Sequence, residues 1–116
     1  MASEDCVFCK IASGGFETKF IYEDDAVVAF ADLSPQAPVH ALIVPKKHLA
    51  SVNELGAGDR DLAGHLFLTA QKLARELGVS ESGYRLVINT GSEATQTIPH
   101  LHVHLLGGRA LEPTLG

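Results

Sequence analysis

His100-Leu101-His102-Val103-His104-Leu105-Leu106-Gly107-Gly108 is the stretch on which the reading of this sequence turns. Imidazole and apolar side chains alternate strictly from 100 to 105. In an extended strand, alternate residues share a face and lie ~6.6 Å apart along it. One face then carries three imidazoles, and Leu101, Val103 and Leu105 point the other way, toward a core. The Gly107-Gly108 pair ends the strand. Three histidines in a row are costly to bury unless each ring nitrogen finds a partner. A half-buried strand with a chance polar face accounts for one histidine but not for three in register. Two chemical readings stand open on the residues alone. The three imidazoles could hold a catalytic zinc, or one could be a nucleophile or proton shuttle oriented by its neighbours.

The rest of the chain supplies partners for this strand. Phe20-Ile21-Tyr22 and Val27 to Ala31 flank the acidic turn Glu23-Asp24-Asp25 and read as a hairpin. Ala41 to Val44 is a third strand, stopped by Pro45, and Tyr84 to Asn89 a fourth. Leu62, Leu66, Ala70, Leu73 and Leu77 recur at helical spacing, with Ala63, Phe67 and Ala74 widening the stripe. Asp59 can cap that helix and Gly78 end it, and Ser51 to Leu55 reads as a further short helical turn. Hairpins with one long helix predict an antiparallel α+β domain, the helix packed on one sheet face. The last strand looks too apolar to be left bare, which predicts a homodimer.

The 116 residues, with 46% hydrophobic and 20% charged side chains, suit a single domain spanning residues 1–116. The N-terminal segment 1–15 and the tail 110–116 are expected at its periphery. A formal charge of −5 makes non-specific nucleic-acid binding a poor expectation. The acidic start Met1-Ala2-Ser3-Glu4-Asp5 is unlike a secretory signal, and no apolar run is long enough for a bilayer span. The expectation is a soluble, cytoplasmic protein without membrane partners. Cys6 and Cys9 cannot build a disulfide framework of the secreted kind.

Before the triad runs Asn89-Thr90-Gly91-Ser92-Glu93-Ala94-Thr95-Gln96-Thr97, rich in hydroxyl and amide groups suited to phosphate or sugar oxygens. His40 opens the third strand. Asp32 closes the second, where a carboxylate can pair with ribose hydroxyls. His65, four residues after Asp61 on the helix, reads as solvated or capping, and Lys46 and Lys47 as surface charges.

Three segments carry a resemblance: Val39-His40-Ala41-Leu42-Ile43-Val44-Pro45-Lys46-Lys47-His48, Asp32-Leu33-Ser34-Pro35-Gln36-Ala37-Pro38, and the triad with Leu105-Leu106-Gly107-Gly108-Arg109. Together the chain resembles the histidine-triad (HIT) nucleotide-binding superfamily, and within it the Hint branch of purine nucleoside phosphoramidases. The likeness runs from about Cys6 to Arg109. It implies a HIT-like fold: a five-stranded antiparallel sheet with one long helix and a short helix, dimerising into a ten-stranded sheet. It implies a hydrolase that cleaves the P–N bond of AMP- or GMP-type nucleoside phosphoramidates without a catalytic metal. His102 matches the nucleophile, with the main-chain carbonyl of His100 holding its second ring nitrogen. His104 and His40 would bond phosphate oxygens or relay protons. Thr97 matches a position of serine in relatives. Asn89 and Gln96 would lie at the phosphate or sugar edge and Asp32 at the ribose. Phe8, Ile11, Phe30, Leu33 and Leu42 match the apolar pocket for the purine base. Some microbial relatives bind a structural zinc through positions matched by Cys6, Cys9, His48 and His100. The sequence departs from the animal pattern in having no tryptophan, in Pro99 before the triad and in the cysteine pair. Alternatives are a dinucleoside polyphosphate hydrolase of the same superfamily, a non-catalytic nucleotide-sensing module, and a zinc hydrolase using the triad as ligands.

Overall fold

β-Branched and apolar runs become the central strands. A computed structural model describes residues 6–113; the expectations for 1–5 and 114–116 lie outside the described residues. The elements are α1 (Val7–Ala12), β1 (Tyr22–Glu23), β2 (Val27–Ala31), β3 (Val39–Pro45), α2 (Arg60–Glu76), β4 (Tyr84–Val87) and β5 (Val103–Gly107), with 3-10 turns between them. The five strands form one sheet in the order β1-β2-β3-β5-β4. Every pairing is antiparallel, with Phe30 opposite Leu42, and Leu42 opposite His104. No helix among the described residues is long and apolar enough to cross a membrane.

Strand alternation divides the sheet into two packed faces. Val27, Ala29, Ala41, Ile43, Leu101, Val103 and Leu105 share a core with Leu66, Ala70, Leu73 and Ala74 of α2. The helical spacing read from the sequence is the face that docks. Full burial of Leu73 and Ile43 contributes roughly 2–3 kcal/mol each. Phe67, expected to widen this stripe, is 53% exposed instead. The opposite sheet face presents Val28, Phe30, Leu42 and Val44 to Cys6, Phe8, Cys9 and Ala12. From Cys6 to Ala12 the chain is packed against the sheet: α1 covers the second face, and Cys6 caps it by accepting the Cys9 N–H at 3.3 Å.

Three further expectations change in detail. β5 is not left bare, as its apolar residues require, but it is β3 on one side and β4 on the other that cover it. The exposed edge falls to the more polar β4. The ladder also begins at Val103, not Leu101. His100 and Leu101 lead into it held by other bonds, from the His100 N–H to the Ile98 carbonyl and from the Leu101 N–H to the Leu49 carbonyl. Asp59 precedes α2 without capping it by its side chain. Its carboxylate accepts from the Gly56 N–H at 2.9 Å and from Lys47 at 2.6 Å.

The acidic turn between β1 and β2 is tied to the helix. The Asp24 carboxylate accepts from the Ala26 and Val27 N–H groups, from the Tyr22 hydroxyl at 2.7 Å and from His65 Nε2 at 2.6 Å. Burial alone would raise this carboxyl, but the bonds from Tyr22, the two backbone groups and His65 outweigh it and hold it well below the usual carboxylate range. His65 therefore joins α2 to the first hairpin rather than standing in solvent.

Candidate active site and cysteine–histidine cluster

The chain leading into β5 places all three triad rings on the α1 side of the sheet. There the Phe8 ring lies edge-on to His102 at 5.0 Å and to His100 at 6.0 Å. His102 Nδ1 sits 2.7 Å from the His100 carbonyl oxygen. A carbonyl can only accept, so Nδ1 carries the proton and donates it. In the neutral ring Nε2 then keeps its lone pair. This is the arrangement an imidazole nucleophile needs: one nitrogen held as a donor, the other free to attack.

The same reasoning sets the protons of a second pair. The Gln36 N–H donates to His40 Nδ1 at 3.0 Å, so that nitrogen is unprotonated and the ring is neutral with its proton on Nε2. His40 Nε2 lies 2.9 Å from His104 Nδ1 and 3.4 Å from the Asp32 carboxylate. The bond between the two rings must run from His40 to His104, since the reverse would leave His40 without any ring proton. His104 accordingly accepts at Nδ1 and keeps its own proton on Nε2. Burial, then the neighbouring His102 and His40, push the His104 imidazolium down to a pKa of about 4. His104 is therefore a neutral donor at pH 7.

His100 turns its ring elsewhere. Its Nε2–H donates to the Pro45 carbonyl at 2.8 Å, which leaves the Nδ1 lone pair facing Cys6 Sγ at 3.1 Å and Cys9 Sγ at 3.4 Å. His48 Nδ1 lies 3.2 Å from both Cys9 Sγ and His100 Nδ1. The ligand atoms of Cys6, Cys9, His48 and His100 all lie within 4.8 Å of one another. Two thiols and two imidazoles converging at this spacing fit a tetrahedral zinc. The backbone bond on the far nitrogen of His100 is the support that metal-ligating histidines commonly receive. The triad is not gathered into one such group. Among the described residues, no candidate metal cluster contains two of its members, His100 grouping with the cysteines and His104 with His40 and Asp32.

One cavity lies against Phe30, whose ring packs on Phe8, and another adjoins the imidazoles. The first, apolar and of about 600 Å³, is lined by residues including Val7, Ile11, Phe16, Phe30 and Leu33. The second, a polar cleft of about 250 Å³, is lined by Gln36, His40, Asn89 and His104 among others. Of the five apolar residues expected around a base, Ile11, Phe30 and Leu33 line the first cavity, Leu33 standing 98% exposed at its rim. Phe8 and Leu42 are buried in the core behind it. Asn89 reaches the polar cleft while its Nδ2 donates to the Ala94 carbonyl. Asp32 lies beside His40, its other oxygen accepting the Ser34 N–H. Thr97 is exposed, with its hydroxyl in none of the hydrogen bonds here. Gln96 braces its own loop: its oxygen accepts from Gly91 N–H and its amide donates to the carbonyls of Ala50 and Ile98.

Sequence reasoning missed two participants. Phe16 lines the apolar cavity, 67% exposed and held at φ +62°. A non-glycine residue rarely adopts that conformation, so the loop holds an aromatic ring at the cavity against local strain. The aromatic after Gly14-Gly15 was the only signal. Gln36 acts through its main chain, which no side-chain pattern reveals.

The HIT domain family profile matches residues 14–111. The chain belongs to the HIT domain family. It is 42% identical over 113 residues to the purine nucleoside phosphoramidase of Escherichia coli K12, covering 97% of this chain and 95% of that protein. It is 50% identical over 109 residues to a HIT-like protein of Synechococcus elongatus, covering 94% of this chain and 95% of that one. The crystal structure of a HIT family hydrolase from Legionella pneumophila superposes with a TM-score of 0.93 at 46% identity, covering 97% of this chain and all of that one. The five-stranded antiparallel sheet with one long helix is the fold of such HIT neighbours.

The depressed pKa of His104 has a stability consequence. An unfolded histidine titrates near ~6.5, so below that pH the unfolded chain binds a proton that the folded one refuses. The stability owed to keeping this ring neutral is lost as pH falls from about 6.5 toward about 4. The melting temperature should therefore drop between pH 7.5 and 4.5, and His104→Gln should lessen the drop. An equal drop in the variant would show that His104 is not the group responsible.

Proposed function

We propose that this HIT protein hydrolyses the P–N bond of purine nucleoside 5′-phosphoramidates through a covalent nucleotidyl-histidine. The observation that carries this reading is the His102 ring, with Nδ1–H bonded to the His100 carbonyl and Nε2 left as a lone pair. The activity named for the Escherichia coli relative gives the substrate class. The first step forms a bond from His102 Nε2 to the α-phosphorus and breaks the P–N bond. The amine leaves after taking a proton, which His104 Nε2 would give. His102 acquires positive charge in this step, and the carbonyl at Nδ1 stabilises it. Water then attacks the same phosphorus and returns a proton to His104 Nε2, His102 departs as a neutral ring, and the products are a nucleoside monophosphate and an amine. The apolar cavity beside Ile11, Phe16 and Phe30 suits a flat base. Asp32 fits the ribose, and Asn89 with the Thr97 hydroxyl the phosphate edge.

We further infer that Cys6, Cys9, His48 and His100 hold a structural zinc. Bound there, it would supply a cross-link between α1, the segment after β3 and the triad, while the chemistry stays with His102. A homodimer is part of the same reading, with the open edge of β4 and the exposed Phe67 and Leu68 of α2 as surfaces for a second copy.

Turnover of an adenosine 5′-phosphoramidate bearing a fluorescent amine tests the catalytic reading. Wild type should release the amine, and His102→Asn should still bind AMP while turnover falls roughly a thousand-fold or more. AMP binding without turnover in the wild type would refute it. For the metal, zinc-repleted protein should contain one zinc per chain, and Cys6→Ser should lose most of it and melt lower. A content near zero in the repleted wild type would refute the zinc assignment.

A further inference from the structure

Arg109 lies outside the triad, the cavities and the cysteine cluster, yet it reaches the loop that sets the His40 proton. Its Nη2 donates to the Gln36 carbonyl at 2.9 Å and its Nη1 to the Ala110 carbonyl at 2.9 Å. The path to that bond is built into the end of β5. Gly108 sits at φ +92°, and a Cβ there would come within 2.9 Å of Pro38 Cβ. Only glycine lets the chain turn so close across residues 32–38 and lay Arg109 over them.

Residue 36 is the point where the loop meets the site. Its N–H donates to His40 Nδ1, and its side chain turns away to the Ser34 carbonyl. The loop's other hydrogen bonds are internal: Ser34 N–H to the Asp32 carboxylate and Asp32 N–H to the His40 carbonyl. Among the described residues, Arg109 supplies the one hydrogen bond that joins residues 33–38 to the chain outside 32–40. Most of the loop is exposed, so burial does little to hold its shape.

We propose that Arg109 is a positioning residue, which by holding the Gln36 carbonyl keeps the Gln36 N–H on His40 Nδ1 and so sets the ring protons of His40 and His104. With Arg109 in place, His40 has its proton on Nε2 and donates to His104 Nδ1, and His104 offers its proton from Nε2. Without it, residue 36 drifts, His40 Nδ1 loses its donor, and both rings populate the other tautomer. The consequence for turnover rests on the phosphoramidase reading above; the consequence for the rings does not.

The test compares wild type, Arg109→Ala and Arg109→Lys by nitrogen-15 spectra of the histidine rings at pH 7.5, beside steady-state kinetics on the adenosine phosphoramidate. In the wild type, His40 should show an unprotonated Nδ1 and a protonated Nε2. Arg109→Ala should move both signals toward tautomer-averaged positions and lower kcat roughly tenfold with KM little changed. Arg109→Lys, which can still donate to the carbonyl, should recover most of both effects. Should Arg109→Ala fail to fold, Gly108→Ala, which pushes the strap off Pro38, should give the same ring change. Unchanged His40 signals in the folded variant overturn the proposal, whether or not kcat falls. If the wild type releases no amine, the phosphoramidase reading fails and the ring spectra alone decide the role of Arg109.

Discussion

The hydrogen bond from His102 Nδ1 to the His100 carbonyl, 2.7 Å long, is the constraint on which the rest of the site depends. It holds one ring proton and thereby leaves the other nitrogen with its lone pair. It exists because the chain that leads from His100 into β5 brings the carbonyl of one triad histidine to the ring of the next. Packing keeps it there. Leu101, Val103 and Leu105 are locked beneath α2 while Phe8 closes the opposite side. His100 belongs to two systems at once: its carbonyl holds the His102 ring and its own ring joins the cysteine cluster. Anything that orders the ring of His100 therefore also orders the carbonyl.

Backbone groups decide the state of the whole imidazole cluster. The Pro45 carbonyl takes the His100 Nε2 proton, the His100 carbonyl takes that of His102, and the Gln36 amide occupies His40 Nδ1. His104 follows from His40. Carbonyls and amides do not titrate, so they select one tautomer of each neutral ring. Acting against charging, burial keeps His104 and His100 neutral. The buried rings of His100 and His104 thus resist charging, each with defined donor and acceptor ends.

Much of this was legible in the residues, for identifiable reasons. Strict alternation over 100–105 sends the imidazoles to one face and Leu101, Val103 and Leu105 to the core, because side-chain direction in a strand has period two. The spacing of Leu66, Ala70 and Leu73 marks the docking face of α2 for an equally local reason. Strand order is not local: the apolar last strand reads as exposed until its place between β3 and β4 is known. The burial of α1 is hidden because its six residues are too few for a periodic signal. Cys6, Cys9, His48 and His100 come together only through tertiary folding, and no spacing in the chain links 9, 48 and 100. Gln36 and Gln96 show the opposite difficulty. The first matters through its main chain and the second braces its loop, so neither side chain announces what the residue does.

The most direct measurement of the central claim is the mass of the intact protein quenched during turnover of an adenosine 5′-phosphoramidate, followed by location of any adduct. One nucleotidyl group on His102, absent in His102→Asn, is the expected result. Turnover without an adduct on His102, or with the adduct on another residue, would contradict the account.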